Sequence, residues 1–175
     1  MNTGSDLEIM REAAQVLDKF GVRYEMDILA THTNPERVVT FAKNARSRGL
    51  KVIIAGAGGA AHLPGMIASY TPLPVIGVPV KVAYSIDGLD AIYSMLQMPV
   101  GVPVATMALN NAENAAIYSL QVLGSSHPSY LELVNAYKSN ARQKAESSAS
   151  DIESLGYQAY IDKYCPNDDF GNASL

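Results

Sequence analysis

The sequence predicts an α/β fold, a three-layer sandwich in which one parallel sheet carries helices on both faces. Strand-like and helix-like patterns alternate from about residue 23 to residue 124. Val52-Ile53-Ile54-Ala55 is apolar at every position, as a strand covered on both faces must be. The stretches between successive apolar runs are long enough for the crossover helices that parallel neighbours need.

Ser5 followed three positions later by Glu8 reads as a capping box, and Leu7, Met10, Ala14, Leu17 and Phe20 recur at helical period until Gly21. Arg23 to Leu29 alternates and reads as a short strand. Asn34-Pro35-Glu36 supplies a cap and a first-turn proline for a helix carrying Val38, Val39, Phe41, Ala42 and Ala45 and closing at Gly49. The strand Val52 to Ala55 runs into Gly56-Ala57-Gly58-Gly59-Ala60-Ala61 and then a helix through Met66-Ile67-Ala68. Val75 to Val78 is a strand, Asp87 to Leu96 a helix, Val102 to Met107 a strand and Asn111 to Leu123 a helix. Beyond Gly124 the composition changes. A helix from Ser129 to about Glu146, a serine-rich joint at Ser147, Ser148 and Ser150, a helix from Asp151 to Tyr164 and a polar end are expected. The division is therefore an α/β domain over residues 1–124 and a helical extension over residues 125–175.

The first helix begins at about residue 5, whereas a sheet of this type ordinarily opens on a strand. Three explanations stay open: a sheet with one strand fewer, cover from the tail or a neighbouring subunit, or a sequence that starts late.

Composition narrows the function classes. The chain has 175 residues, 48% hydrophobic and 17% charged, with a formal net charge of -4. No basic cluster offers a nucleic-acid footprint. Its apolar runs are broken by Gly or Pro well short of the roughly 20 residues that span a bilayer. No secretory signal opens the sequence, and the single cysteine, Cys165, cannot form an internal disulfide. The expectation is a cytoplasmic protein that binds neither nucleic acid nor membrane.

The chemistry is expected at three strand-to-helix junctions, where this fold class places its ligands. The first is Asn2-Thr3-Gly4-Ser5-Asp6, either a plain cap or a polar binding turn. The second is Ala30-Thr31-His32-Thr33-Asn34-Pro35, with a histidine between strand and helix. The third is Gly56 to Met66, whose glycines allow close backbone approach and whose helix N-terminus offers N–H groups to a carboxylate or phosphate. Rival templates fail. Ala61 stands where GxGxxG has its last glycine, and no acidic residue closes a following strand about 20 positions on. GxxxxGK[ST] and GxSxG are absent, and His32, His62 and His127 lack metal-ligand spacing.

KVIIAGAGGAAHLPGM (Lys51 to Met66), with PLPVIGVPV (Pro72 to Val80), DGLDAIYSMLQMP (Asp87 to Pro99), GVPVATMAL (Gly101 to Leu109) and NNAENAA (Asn110 to Ala116), closely resembles the PurE family. These are the N5-carboxyaminoimidazole ribonucleotide mutases of bacteria and the related aminoimidazole ribonucleotide carboxylase domain of fungi. The resemblance runs from Met1 to about Gly124, and GAGGAAHLPGM is its most specific part. It implies a flavodoxin-like sandwich, a homo-octamer, no metal and no organic cofactor. It also implies a first strand ahead of the first turn, which this sequence does not contain.

The family's GSxSD turn falls on Asn2 to Asp6, so Thr3, Ser5 and Asp6 are implied to hold substrate, with Asn2 and Thr3 departing from the motif. SAHRTP falls on Ala30 to Pro35: His32 matches the acid/base histidine, while Thr33 replaces an arginine that binds phosphate. QMPRG falls on Gln97 to Gly101, with Val100 replacing a second arginine. The glycine loop implies Ala57, Gly58, Gly59, Ala60, His62 and Leu63 as further substrate-binding residues, holding CO2 or a carboxylate. The partners implied are a small carboxylate substrate and CO2. Three readings follow: a divergent decarboxylase whose ring substrate has changed with the lost arginines, an authentic aminoimidazole ribonucleotide carboxylase or mutase of purine biosynthesis, and a non-catalytic oligomeric scaffold.

Overall fold

The computed structural model describes residues 1–165. The polar end anticipated beyond Cys165 lies outside the described residues. The chain divides into two compact units, Met1–Leu131 and a second beginning at Glu132.

In the first unit a 3-10 turn, Gly4–Asp6, leads into α1, Leu7–Lys19. There follow α2 Pro35–Ala45, β1 Ile53–Gly58, α3 His62–Tyr70, β2 Val75–Val80, α4 Leu89–Leu96, β3 Ala105–Thr106 and α5 Ala112–Gly124. Among the described residues the sheet is parallel and three-stranded, in the order β1-β2-β3, with Ile53 opposite Val75 and Ile76 opposite Ala105. Every residue of β2 is buried, as befits a central parallel strand. On one face α2, α3 and α4 close a core that includes Val38, Ala42, Ile53, Ala55, Ile67 and Met95. On the other, α1 packs along α5. Gly56 lets α1 come close there, since a Cβ on it would stand 2.3 Å from the Met10 sulfur. The fold is a flavodoxin-like α/β sandwich followed by helices.

Several expectations are corrected. The capping carboxylate is that of Asp6, which accepts from the Thr3 N–H at 2.8 Å, so the cap lies ahead of the expected Ser5 and Glu8 pair. β1 continues through Gly58, beyond the expected end at Ala55, and α3 opens at His62. Asp87 and Gly88 have φ of 49° and 81°, and α4 therefore starts only at Leu89. The strand expected over Val102 to Met107 shrinks to Ala105–Thr106, because Pro103 has no amide to give a ladder. Past Gly124, α6 runs unbroken over Pro128–Leu155 and takes the serine-rich stretch into the helix. The break comes instead at Gly156, where φ is 77°, ahead of α7, Tyr157–Tyr164. Serine costs a helix only a few tenths of a kcal/mol, too little to end a long one.

The expected strand from Arg23 to Leu29 forms no strand. Only its end meets a parallel neighbour: the Met1 amine donates to the Asp27 carbonyl at 2.9 Å, and the Leu29 N–H donates to the Met1 carbonyl at 2.8 Å. On Met1's other side, the Asn2 N–H donates to the Gly56 carbonyl at 3.1 Å. Met1 and Asn2 thus fill a ladder position between β1 and this segment. Behind them the two backbones face each other across a cavity of about 780 Å³, lined by Met10, Ala13, Leu17, Glu25, Ile54 and Ser119 among others. Arg37 pairs with Asp27, Arg48 with Glu25, and the Tyr24 hydroxyl donates to Asp18, so exposed side chains hold the segment in place of a ladder. Surface pairs of this kind contribute at most about 1 kcal/mol each.

Candidate active site

The three junctions meet at the C-terminal end of β1. In the first turn, the Thr3 and Ser5 hydroxyls lie 2.7 Å apart, and Asp6 is buried with its carboxylate turned back on the Thr3 amide. Ser5 is exposed at the lip. Asn34 caps α2 by accepting from the Arg37 N–H at 3.1 Å, which fixes where the second turn ends. His32 and Thr33 stand exposed just ahead of it, while Thr31 is buried.

Asn2 ties the first turn to the second. Its side-chain oxygen accepts from the Thr31 N–H at 3.1 Å and from the Thr31 hydroxyl at 2.9 Å. The Thr31 hydroxyl lies 3.5 Å from His32 Nδ1. The other nitrogen of His32, Nε2, lies 3.1 Å from Nδ1 of His62, with the rings at 82° and their centroids 5.0 Å apart. The pair joins the second turn to the third.

The third turn is shaped by close contacts. A Cβ on Gly58 would stand 2.7 Å from the Val80 carbonyl oxygen, so only glycine lets the ends of β1 and β2 approach this far. Gly59 is left-handed at φ 61°. Ala61 is left-handed too, at φ 44°, and its N–H donates to the Gly58 carbonyl at 3.1 Å. The Ala60 carbonyl accepts from the Ser94 hydroxyl at 2.6 Å. Ala61 thus has its amide engaged, and Pro64 has none. His62 and Leu63, in the first turn of α3, are the amides that no carbonyl within the helix can take. The side chains of Ala57 and Leu63 point into the core, so both face the site with backbone alone.

The structure thus brings together His32, His62 and the Gly58–Leu63 loop, with Thr3, Ser5 and Asp6 joined to them through Asn2. Val100 is fully exposed. The Lys81 ammonium is engaged by Asp87 at 2.8 Å, and that neighbour lowers the Asp87 carboxyl below its usual range. The 780 Å³ cavity touches none of the candidate site residues. Among the described residues, no group of three His, Cys, Asp or Glu is placed to hold a metal ion. No helix among them is long and apolar enough to cross a membrane. Asn2 and Thr31 are the site members that sequence reasoning passed over. The signal was present, since both stand where the GSxSD and SAHRTP motifs have other residues.

A family model described as AIR carboxylase matches residues 1–144. The chain is similar to an N5-carboxyaminoimidazole ribonucleotide mutase of Thermotoga maritima, 49% identical over 163 residues that cover 93% of this chain and 95% of that one. It is similar to another from Pyrococcus horikoshii, 50% identical over 161 residues covering 92% and 90%. A phosphoribosylaminoimidazole carboxylase of Schizosaccharomyces pombe is 50% identical over 160 residues, 91% of this chain but 29% of that longer protein. The crystal structure of Treponema denticola PurE superposes with a TM-score of 0.76 at 26% identity, covering 90% of this chain and 96% of the other. With a family model over residues 1–144 and relatives near 50% identity over more than nine-tenths of its length, the chain belongs to the AIR carboxylase family and is an enzyme of the PurE type.

Proposed function

We propose that this chain is an authentic aminoimidazole ribonucleotide carboxylase or mutase of purine biosynthesis, adding or relocating CO2 on the imidazole ring. The observation that carries the reading is the His32–His62 pair, two imidazoles 3.1 Å apart against the glycine loop. As CO2 bonds to the ring carbon, that carbon must lose a proton. His32 takes it and becomes imidazolium, and the reverse transfer accompanies release. Histidine is the residue type whose proton is exchangeable near neutral pH. His62 Nδ1, 3.1 Å from Nε2 of His32, helps to hold the ring in place. The amides of His62 and Leu63, with the positive end of α3, favour a carboxylate or the CO2 that becomes one. Thr3, Ser5 and Asp6 form the polar turn for the sugar, and Thr33 offers a neutral hydroxyl where the family motif has arginine.

Relatives near 50% identity over more than nine-tenths of this chain favour this reading over the changed-substrate decarboxylase. Exposure of His32 and His62 in the single chain, with exposed Tyr84, Ile86, Tyr93 and Leu96 elsewhere on its surface, supports assembly with further copies, an octamer in the family pattern. A cytoplasmic setting fits the free Cys165. The test is to supply carboxyaminoimidazole ribonucleotides, and separately aminoimidazole ribonucleotide with ¹³C-bicarbonate, and to follow the label by NMR. Label entering or leaving the ring carboxylate is expected. Inertness towards all of them, with CO2 released from a ring acid lacking phosphoribose, would reinstate the decarboxylase.

A further inference from the structure

Asn2 Oδ1 lies 3.1 Å from the Thr31 amide nitrogen, which can only donate, so the atom facing it is the carbonyl oxygen and not the amide NH₂. That oxygen has no proton to give. The Thr31 hydroxyl, 2.9 Å away, must therefore donate to it. With its only proton spent, the hydroxyl turns a lone pair to His32 Nδ1 at 3.5 Å, which favours the tautomer with the proton on Nδ1. In the neutral ring Nε2 is then left with the lone pair, and His62 Nδ1, 3.1 Å away, donates to it.

We infer that Asn2 and Thr31 are positioning residues that select the tautomer of His32, placing its basic lone pair on Nε2, the nitrogen beside His62 and the glycine loop. The inference deepens the proposed function and rests on its use of His32 as the proton carrier. The first two links have one direction only, from a backbone amide that cannot accept to an oxygen that cannot donate, and they leave the hydroxyl a lone pair for the imidazole nitrogen. Thr31 is buried, so water does not readily replace its hydroxyl. Asn2 and Thr31 both depart from the family motifs, and they meet each other across 29 positions of sequence. A side chain longer than the glycine of GSxSD meets a hydroxyl where SAHRTP has alanine.

The experiment reads the tautomer and the turnover separately. Ring ¹⁵N NMR of His32 in the intact protein, above the pH at which the ring is neutral, is expected to show the proton on Nδ1. Thr31→Val keeps the shape and removes the hydroxyl; it should move the proton population to Nε2 and lower kcat about tenfold or more, with KM nearly unchanged. Thr31→Ser should restore both. Asn2→Ala, which frees the hydroxyl to turn either way, should give a mixed population and an intermediate kcat. The inference is overturned if the unmodified protein carries the proton on Nε2, if Thr31→Val leaves the tautomer as it was, or if the tautomer moves and kcat does not. Should the chain turn over no aminoimidazole ribonucleotide, the proposed function falls. The NMR arm would still decide whether Asn2 and Thr31 set the ring.

Discussion

On either side of Asn2 the same two neighbours, β1 and the segment over residues 23–29, are joined in opposite ways. Ahead of it in space lie the turns of the site, cross-tied by the bonds from Asn2 to Gly56 and Thr31 and by the contact of His32 with His62. Behind it lies the 780 Å³ cavity, where among the described residues no strand joins the two backbones. A few loop and side-chain bonds tie the turns to one another, so the candidate site depends heavily on Asn2 and Thr31.

The sharpest break in that comparison comes at the histidine. His32→Ala should cut turnover by about 10²- to 10⁴-fold, roughly 3 to 5 kcal/mol of barrier, while leaving the thermal midpoint almost unmoved, because an exposed turn residue adds little packing. Activity within threefold of the parent would remove His32 from the mechanism. Next is Gly58→Ala, whose new methyl meets the Val80 carbonyl. Urea titration should show a loss of about 1 to 3 kcal/mol, and an unchanged midpoint would mean that β1 and β2 can part at this end at no cost. Gly59→Ala tests the neighbouring turn. Its left-handed φ should cost about 1 kcal/mol, and a stability equal to the parent would show that the loop relaxes to another conformation.

The smallest effect belongs to the cavity side. Burial pushes the Met1 amine below its ordinary value of about 8, outweighing the attraction of Asp6 and Asp27. Between the lowered folded value and 8 the unfolded chain binds more protons than the folded one, so stability should rise with pH through that window and level off above it. Acetylating the amine should flatten the rise; a slope that survives acetylation would come from another group.

The helices were legible because their signals are local. Asn34 and Asn111 cap α2 and α5 through the bonds their positions promise, and β1 announces itself by an unbroken apolar run. Residues 23–29 and 102–107 mislead for a single reason: alternation describes a chain able to join a ladder, and only a partner makes it a strand. In the first case Met1 and Asn2 alone among the described residues fill the facing position, and in the second Pro103 withholds an amide. The glycine loop could be read because left-handed and crowded positions demand glycine. Asn2 and Thr31 each depart from a motif, but the link between them could not be read, since the bond spans 29 positions and only the fold brings the two together.

Ala61 stands at φ 44°, which is unfavourable for an alanine by about 1 to 2 kcal/mol, and such a residue persists only where its surroundings over-determine it. Here its buried methyl, its bond to the Gly58 carbonyl and the Ser94 clasp on Ala60 do so. A ligand arriving at the start of α3 thus meets a loop already in its final shape and need not wait for it to order. Capture is then governed by diffusion and orientation, and good ligands differ from poor ones mainly in how long they stay.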